Sequence, residues 1–118
     1  MKKILYIEDH EDTAIAVKRI LSEAGFKVEL ASSGKEGIKK AKNNFDLILT
    51  DIMLPDMSGW DIFQTLSKKI KKCKYGIISV IPVSTERMEE LKKEGISDYI
   101  TKPFKQNDLV GRVKKILR

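Results

Sequence analysis

Glu8-Asp9 after one apolar run, Asp51 after a second and Lys102-Pro103 after a third are the residues of this chain equipped for chemistry. A further patch, Leu54-Pro-Asp-Met-Ser-Gly59, follows Asp51 closely. If the three apolar runs are neighbouring parallel strands, their carboxyl ends share one edge of a sheet. The three acids and the lysine then converge on one point. Such a point can hold a divalent cation and accept a phosphoryl group on a carboxylate, with the lysine balancing charge.

The elements that must position these residues are readable from period. Lys3–Ile7 reads as a strand, and Asp12–Ala24 as a helix with Ile15, Ala16, Ile20 and Leu21 at helical spacing and Gly25 as its stop. Asp12 is the expected N-cap of that helix. Lys27–Ala31 alternates as a second strand, and Ser33 with Glu36 forms a capping-box pattern opening a helix to about Asn43. Asp46–Thr50 is nearly continuous in apolar residues, as a strand buried on both faces should be. Ser58 to Asp61 starts a helix running to about Lys72, followed by a strand at Gly76–Ile81. A helix at Thr85–Glu94 closes on Gly95, and a short strand spans Asp98–Thr101. Gln106–Leu117 is the last helix, with Leu109, Val110, Val113, Ile116 and Leu117 on its apolar side.

Five strand-then-helix units in 118 residues make one α/β domain filling residues 1–118, a doubly wound parallel sheet with helices on both faces. In such sheets ligands bind at the carboxyl ends of the strands where strand order reverses. Glu8, Asp9, Asp51 and Lys102 all follow strands and meet that expectation.

Composition narrows the partners. A hydrophobic fraction of 42% with 34% charged residues describes a folded soluble domain. The single cysteine, Cys73, has no internal disulfide partner and reads as a bystander thiol in a reducing compartment. No apolar run approaches membrane-spanning length, and the N-terminus enters a strand without a signal-peptide pattern. A cytoplasmic protein with no membrane partner is expected. The net charge of +6 comes from lysine runs at Lys68–Lys74, Lys92-Lys93 and Lys114-Lys115, with only four arginines. These runs lack the arginine forks and interleaved aromatics of a nucleic-acid reader. They read as solvated helix ends, and no direct nucleic-acid contact is expected; an acidic protein is the favoured partner for them.

Asp51-Ile-Met-Leu-Pro-Asp-Met-Ser-Gly59, Lys102-Pro103-Phe104, Glu8-Asp9 and Gly95-Ile-Ser-Asp-Tyr99 together resemble the receiver domain of two-component response regulators, along the whole chain. The resemblance implies a flavodoxin-like fold with strand order 2-1-3-4-5 and a cis Lys102–Pro103 peptide. It also implies phosphoryl transfer from a sensor histidine kinase or phosphotransfer protein to Asp51, with Mg²⁺, and output through a downstream protein partner. The chain would be a monomer or weak homodimer and a phospho-switch, not a turnover enzyme on an external substrate.

Physical roles follow for the matched residues. Asp9 and Asp51 would bind Mg²⁺ directly, with the Met53 carbonyl as a third oxygen and Glu8 acting through water. Asp51 is the nucleophile and Lys102 the neutralising charge. Gly59 serves close packing or a positive φ, and His10 reads as a solvated loop residue. The clearest departure is at the end of the fourth strand, where the family places a Thr or Ser followed by a small residue. Counting back from Gly95 and Lys102 puts Val80 at the hydroxyl position and Ile81 at the small one; counting forward from Asp51 lands on Ile81. Ser79 could supply the hydroxyl if the strand ends early. In the family, phosphorylation draws that hydroxyl inward and an aromatic follows; Tyr99 occupies the aromatic position. Without the hydroxyl the switch would be weak or differently wired. The second reading is therefore a receiver-like interaction module that is not phosphorylated or switches atypically. A phosphohydrolase using an Asp nucleophile would want an acid where Met53 stands. A flavin carrier would not place Glu8-Asp-His-Glu-Asp12 against a phosphate.

Overall fold

Short apolar runs separated by helical crossovers produce five parallel strands, described here from a computed structural model covering residues 1–118. They are β1 (Lys3–Ile7), β2 (Lys27–Ala31), β3 (Leu47–Thr50), β4 (Lys74–Ser79) and β5 (Ile96–Thr101). The sheet order is β2-β1-β3-β4-β5, the flavodoxin-like order that the resemblance implies. The helices are α1 (Glu11–Glu23), α2 (Gly34–Lys40), α3 (Gly59–Lys69), α4 (Thr85–Glu94) and α5 (Gln106–Ile116).

Side chains alternate across the sheet with period two, so each strand feeds two cores. Leu5, Ile7, Ile48, Ile77, Ile96 and Tyr99 pack with Ile62, Phe63, Leu66 and Leu91 beneath α3 and α4. Ile4, Tyr6, Leu47, Leu49, Ile78 and Ile100 pack with Val17, Leu21, Leu109 and Val113 beneath α1 and α5. Burial on both faces explains why β3 reads as an unbroken apolar run. No helix is long and apolar enough to cross a membrane.

Several boundaries differ from the sequence reading for local reasons. The α1 N-cap is His10, and Asp12 is the second helical residue rather than the cap. The buried face of α1 is Ala14, Val17 and Leu21, while Ile15 faces solvent. In α2, Ser33 caps by accepting from the Glu36 N–H, but Glu36 returns its carboxylate to the Ser32 N–H instead of to Ser33. That helix gives way at Ala41–Asn43 to a single 3₁₀ turn. The α3 box is complete, with Ser58 and Asp61 reciprocally bonded. Helix α3 stops at Lys69 because Ile70 turns extended and its carbonyl accepts from the Tyr75 hydroxyl at 2.8 Å. Pairing with Leu47 starts β4 at Lys74, so it ends at Ser79, two residues short of the apolar run that continues to Ile81. An extra residue in β5 opposite Tyr75 and Gly76 lets that strand begin at Ile96. On α5 Leu109 and Val113 are fully buried, while Val110, Ile116 and Leu117 are half-buried. Gly25 and Gly95 end α1 and α4 at φ of 101° and 117°, where a side chain would be strained.

Candidate functional site

Strand register brings the chemistry together. Ile7 pairs with Thr50 on one side and Ala31 on the other, so Glu8 and Asp51 leave adjacent strands at the same level. The Asp51 N–H donates to the Ile7 carbonyl at 3.1 Å, and the Lys102 N–H to the Ser79 carbonyl at 2.7 Å. The Lys102–Pro103 peptide is cis.

Asp51 is held by its own backbone. Its carbonyl accepts from the Thr50 hydroxyl at 2.9 Å, and a Cβ on Gly59 would sit 2.1 Å from that oxygen. Gly59 has no positive φ, so close packing is its purpose. The side chain of Asp51 is nearly buried; one oxygen accepts from Lys102 Nζ at 2.9 Å and the other from the Met53 N–H at 3.3 Å.

Glu8 is the most deeply buried acid. Its Oε1 accepts from Lys102 Nζ at 2.6 Å and from the Tyr6 hydroxyl at 3.0 Å. Oε2 has only long contacts, 3.4 Å to the His10 N–H and 3.4 Å to His10 Nδ1. Burial alone would raise the Glu8 carboxyl, but the hydrogen bond and charge of Lys102 outweigh it and hold it below its usual range. Burial likewise opposes the Lys102 cation, and its bonds to Glu8 and Asp51 raise it above an ordinary lysine. Tyr6 is pushed far up, by burial first and then by Glu8, and stays a neutral donor.

Asp9, His10, Thr13, Asp51, Met53, Leu54, Pro55, Val80 and Lys102 line an open cavity of about 490 Å³ at this edge. No donor in the protein bonds the Met53 carbonyl, which leaves it available as a ligand. The oxygens of Asp9, Asp51 and Met53 are the hard donor set that Mg²⁺ takes. Glu8 stands behind them rather than on the cavity wall, with its Oε2 turned to His10.

The hydroxyl question has a geometric answer. Val80 is exposed on the cavity wall, whereas Ser79 is completely buried and accepts from the Ile81 N–H at 3.2 Å. Ser79 therefore presents no hydroxyl to the cavity. Tyr99 is buried in the α3–α4 core, and its hydroxyl donates to the Ile81 carbonyl.

A match to the response regulator receiver domain family spans residues 4–114. The chain belongs to that family. The receiver is 38% identical over 117 residues to the transcriptional regulatory protein CusR of Escherichia coli K12, covering 98% of this chain and 51% of CusR. It is 35% identical over 119 residues to the cell cycle transcriptional regulator CtrA of Caulobacter vibrioides, covering 98% and 50%. The receiver thus spans about half the length of these curated relatives. Among solved structures, a CheY-like receiver domain protein from Methanospirillum hungatei JF-1 superposes with a TM-score of 0.89 at 32% identity, covering 99% of this chain and 94% of that one. Response regulator TrrA from Thermotoga maritima, solved in complex with Mg²⁺-BeF, gives 0.85 at 30% identity, covering 99% and 100%.

Two residues around this receiver's site went unnoticed in sequence. Tyr6 precedes Glu8 by two and so shares its face, a period-two signal. Asp56 accepts from the Gly34 and Lys35 N–H groups at 2.9 Å each and ties the loop after Asp51 to the start of α2. Those backbone bonds hold its carboxyl low. No sequence signal marks Asp56 beyond its place in a Pro-Asp turn. His10, read as a solvated loop residue, is exposed in that loop and lines the cavity. Cys73 is buried, and burial first, then Asp46, pushes its thiol up to about 12, consistent with an inert side chain.

Proposed function

We propose that this receiver accepts a phosphoryl group on Asp51 from a sensor histidine kinase or phosphotransfer protein, and signals by protein contacts instead of turning over an external substrate. The observation that carries this is Lys102 Nζ lying 2.9 Å from an Asp51 carboxylate that faces a cavity shared with Asp9 and Met53. Asp9, Asp51 and the Met53 carbonyl would hold Mg²⁺, which supplies charge neutralisation for the phosphoryl oxygens. In the transfer, an Asp51 oxygen forms the new O–P bond as the donor's N–P bond breaks. The electron pair goes to the leaving imidazole, which takes up a proton. Glu8, itself fixed by the Tyr6 hydroxyl, holds the Lys102 ammonium at the cavity, so the cation needs no rearrangement as phosphoryl charge arrives. The buried thiol Cys73 suits a reducing cytoplasm.

A second reading, atypical switching, is favoured by Val80 and Tyr99. No hydroxyl reaches from Val80 toward a phosphoryl group, and the Tyr99 ring is already inside. A modification shifts an equilibrium only through contacts that differ between two states.

Intact mass after incubation with a small-molecule phosphodonor, with and without Mg²⁺, tests the main reading. The expected result is a Mg²⁺-dependent gain of one phosphoryl group that Asp51→Asn abolishes. No gain in a folded, Mg²⁺-binding protein would leave the unphosphorylated interaction module as the function.

A further inference from the structure

We propose that the sheet edge opposite Asp51, where the strands begin and the helices end, docks an acidic protein segment through a lysine-rimmed cleft. This goes beyond the phosphoryl reading and does not depend on it.

The fold gathers charge that the sequence disperses. Residues 1–3, 22–27, 40–47, 67–74, 92–96 and 113–118 form this edge. They hold fifteen of the 23 lysines and arginines but only three of the 17 acids. The edge therefore carries a surplus of twelve positive charges, and the rest of the molecule is net negative beneath a total of +6. Of the fifteen cations only Lys40 has a carboxylate within salt-bridge distance, Glu36 at 3.8 Å. Helix dipoles explain a fraction of this: five helix carboxyl ends present about half a negative charge each, about 2.5 in all. The remainder is self-repulsion that an anionic partner would relieve.

A cleft of about 420 Å³ opens in the densest part of the edge. Phe63, Ile70 and Tyr75 line it, and exposed Lys68 and Lys71 flank it, with Glu94 the one acid. An apolar hollow with a charged rim is the layout of a protein–protein contact, where a buried anchor side chain supplies affinity and the rim supplies complementarity.

The same features select among anions. Phosphate in nucleic-acid contacts is positioned by helix N-termini and backbone N–H groups. This edge presents helix carboxyl ends instead, with leftover carbonyl oxygens. A protein segment supplies N–H donors for those carbonyls, carboxylates for the lysines and an apolar side chain for the cleft. A membrane would take inserted apolar side chains, and Met1 is the one large exposed apolar residue here. A second copy fits poorly, because every copy carries +6 and repels its like.

Fluorescence anisotropy of a labelled alternating glutamate–serine peptide with one central phenylalanine, titrated with the folded chain at about 50 mM salt, tests this. The peptide should bind, and about fivefold more tightly than the same peptide with alanine at its centre, the scale of one anchor side chain. Lys68→Gln, Lys71→Gln and Lys72→Gln combined should weaken it by about fivefold or more, as three exposed ion pairs together would. Removing the same charge elsewhere, by Lys18→Gln, Lys35→Gln and Lys105→Gln combined, should change it by less than about twofold. All six side chains are exposed in loops or on helix surfaces, so both variants should fold as the parent does. No binding at that salt, equal loss in the two triple variants, or equal affinity for the two peptides would overturn the inference. So would tighter binding of duplex DNA of equal charge, or of phosphatidylserine vesicles, than of the phenylalanine peptide.

Discussion

Replacing Lys102 by methionine keeps its length and removes the only cation touching Glu8 and Asp51. Glu8 would then be a buried carboxylate with Tyr6 as its single short donor. Removing one partner of a buried ion pair costs about 3–5 kcal/mol. The surviving Tyr6 bond and the 13% exposure of the Lys102 side chain point to the lower end, about 3 kcal/mol. With a urea m-value of about 1.5 kcal/mol/M, the midpoint should fall by about 2 M near pH 7.5. The pH dependence carries the stronger test. In the parent, the Glu8 carboxyl lies below its ordinary value, so its stabilisation is present above that value and is lost only as pH falls through the lowered one. The raised Lys102 contributes stability below the ordinary lysine value and loses it only as pH rises through its own, higher one. Neither titrates in the parent between about pH 5 and 7.5. In Lys102→Met, burial acts on Glu8 without a cation and carries its carboxyl above the ordinary value. The penalty is then full near pH 7.5 and shrinks as the acid protonates toward pH 5. Urea unfolding of parent and variant at the two pH values reads this directly. A deficit under about 1 kcal/mol, typical of an exposed pair, would refute the reasoning. So would a deficit equal at both pH values.

Three further expectations follow from neighbouring residues. Gly59→Ala places a Cβ 2.1 Å from the Asp51 carbonyl, a backbone atom with no room to yield; a loss of about 2 kcal/mol or more, read as a lower midpoint in thermal unfolding, should accompany slower phosphoryl uptake. Ser79→Ala removes only the acceptor for the Ile81 N–H and should cost about 1 kcal/mol without altering phosphoryl lifetime. Val80→Thr instead puts a hydroxyl on the cavity wall and should change that lifetime; the opposite pattern between these two variants would mean the strand end is wrongly placed.

Much of this receiver was legible because local rules and global fold agree. Short apolar runs marked all five strands, and Gly25 and Gly95 stop α1 and α4 at the residues that only glycine enters easily. Boundaries failed where a long-range bond decides them: α3 is cut short by the Tyr75 hydroxyl, and β4 begins where Leu47 offers a partner. The Ile81 run looked like strand because apolar character does not report whether a neighbour is there to pair with.

For the site, residue types at strand ends determined the chemistry: acids after β1 and β3, a lysine after β5, and a glycine able to press on Asp51. Those choices are made by composition and spacing, which one chain displays in full. Only the tertiary structure decided how they are shared. The register that sets Ile7 against Thr50 directs Glu8 to Lys102 and leaves Asp9 and Met53 on the cavity wall, while the pairing of β4 with β5, which ends at Ser79, buries that residue and exposes Val80. A shift of one residue along a strand exchanges its two faces, and that register is set by pairing between segments more than forty residues apart.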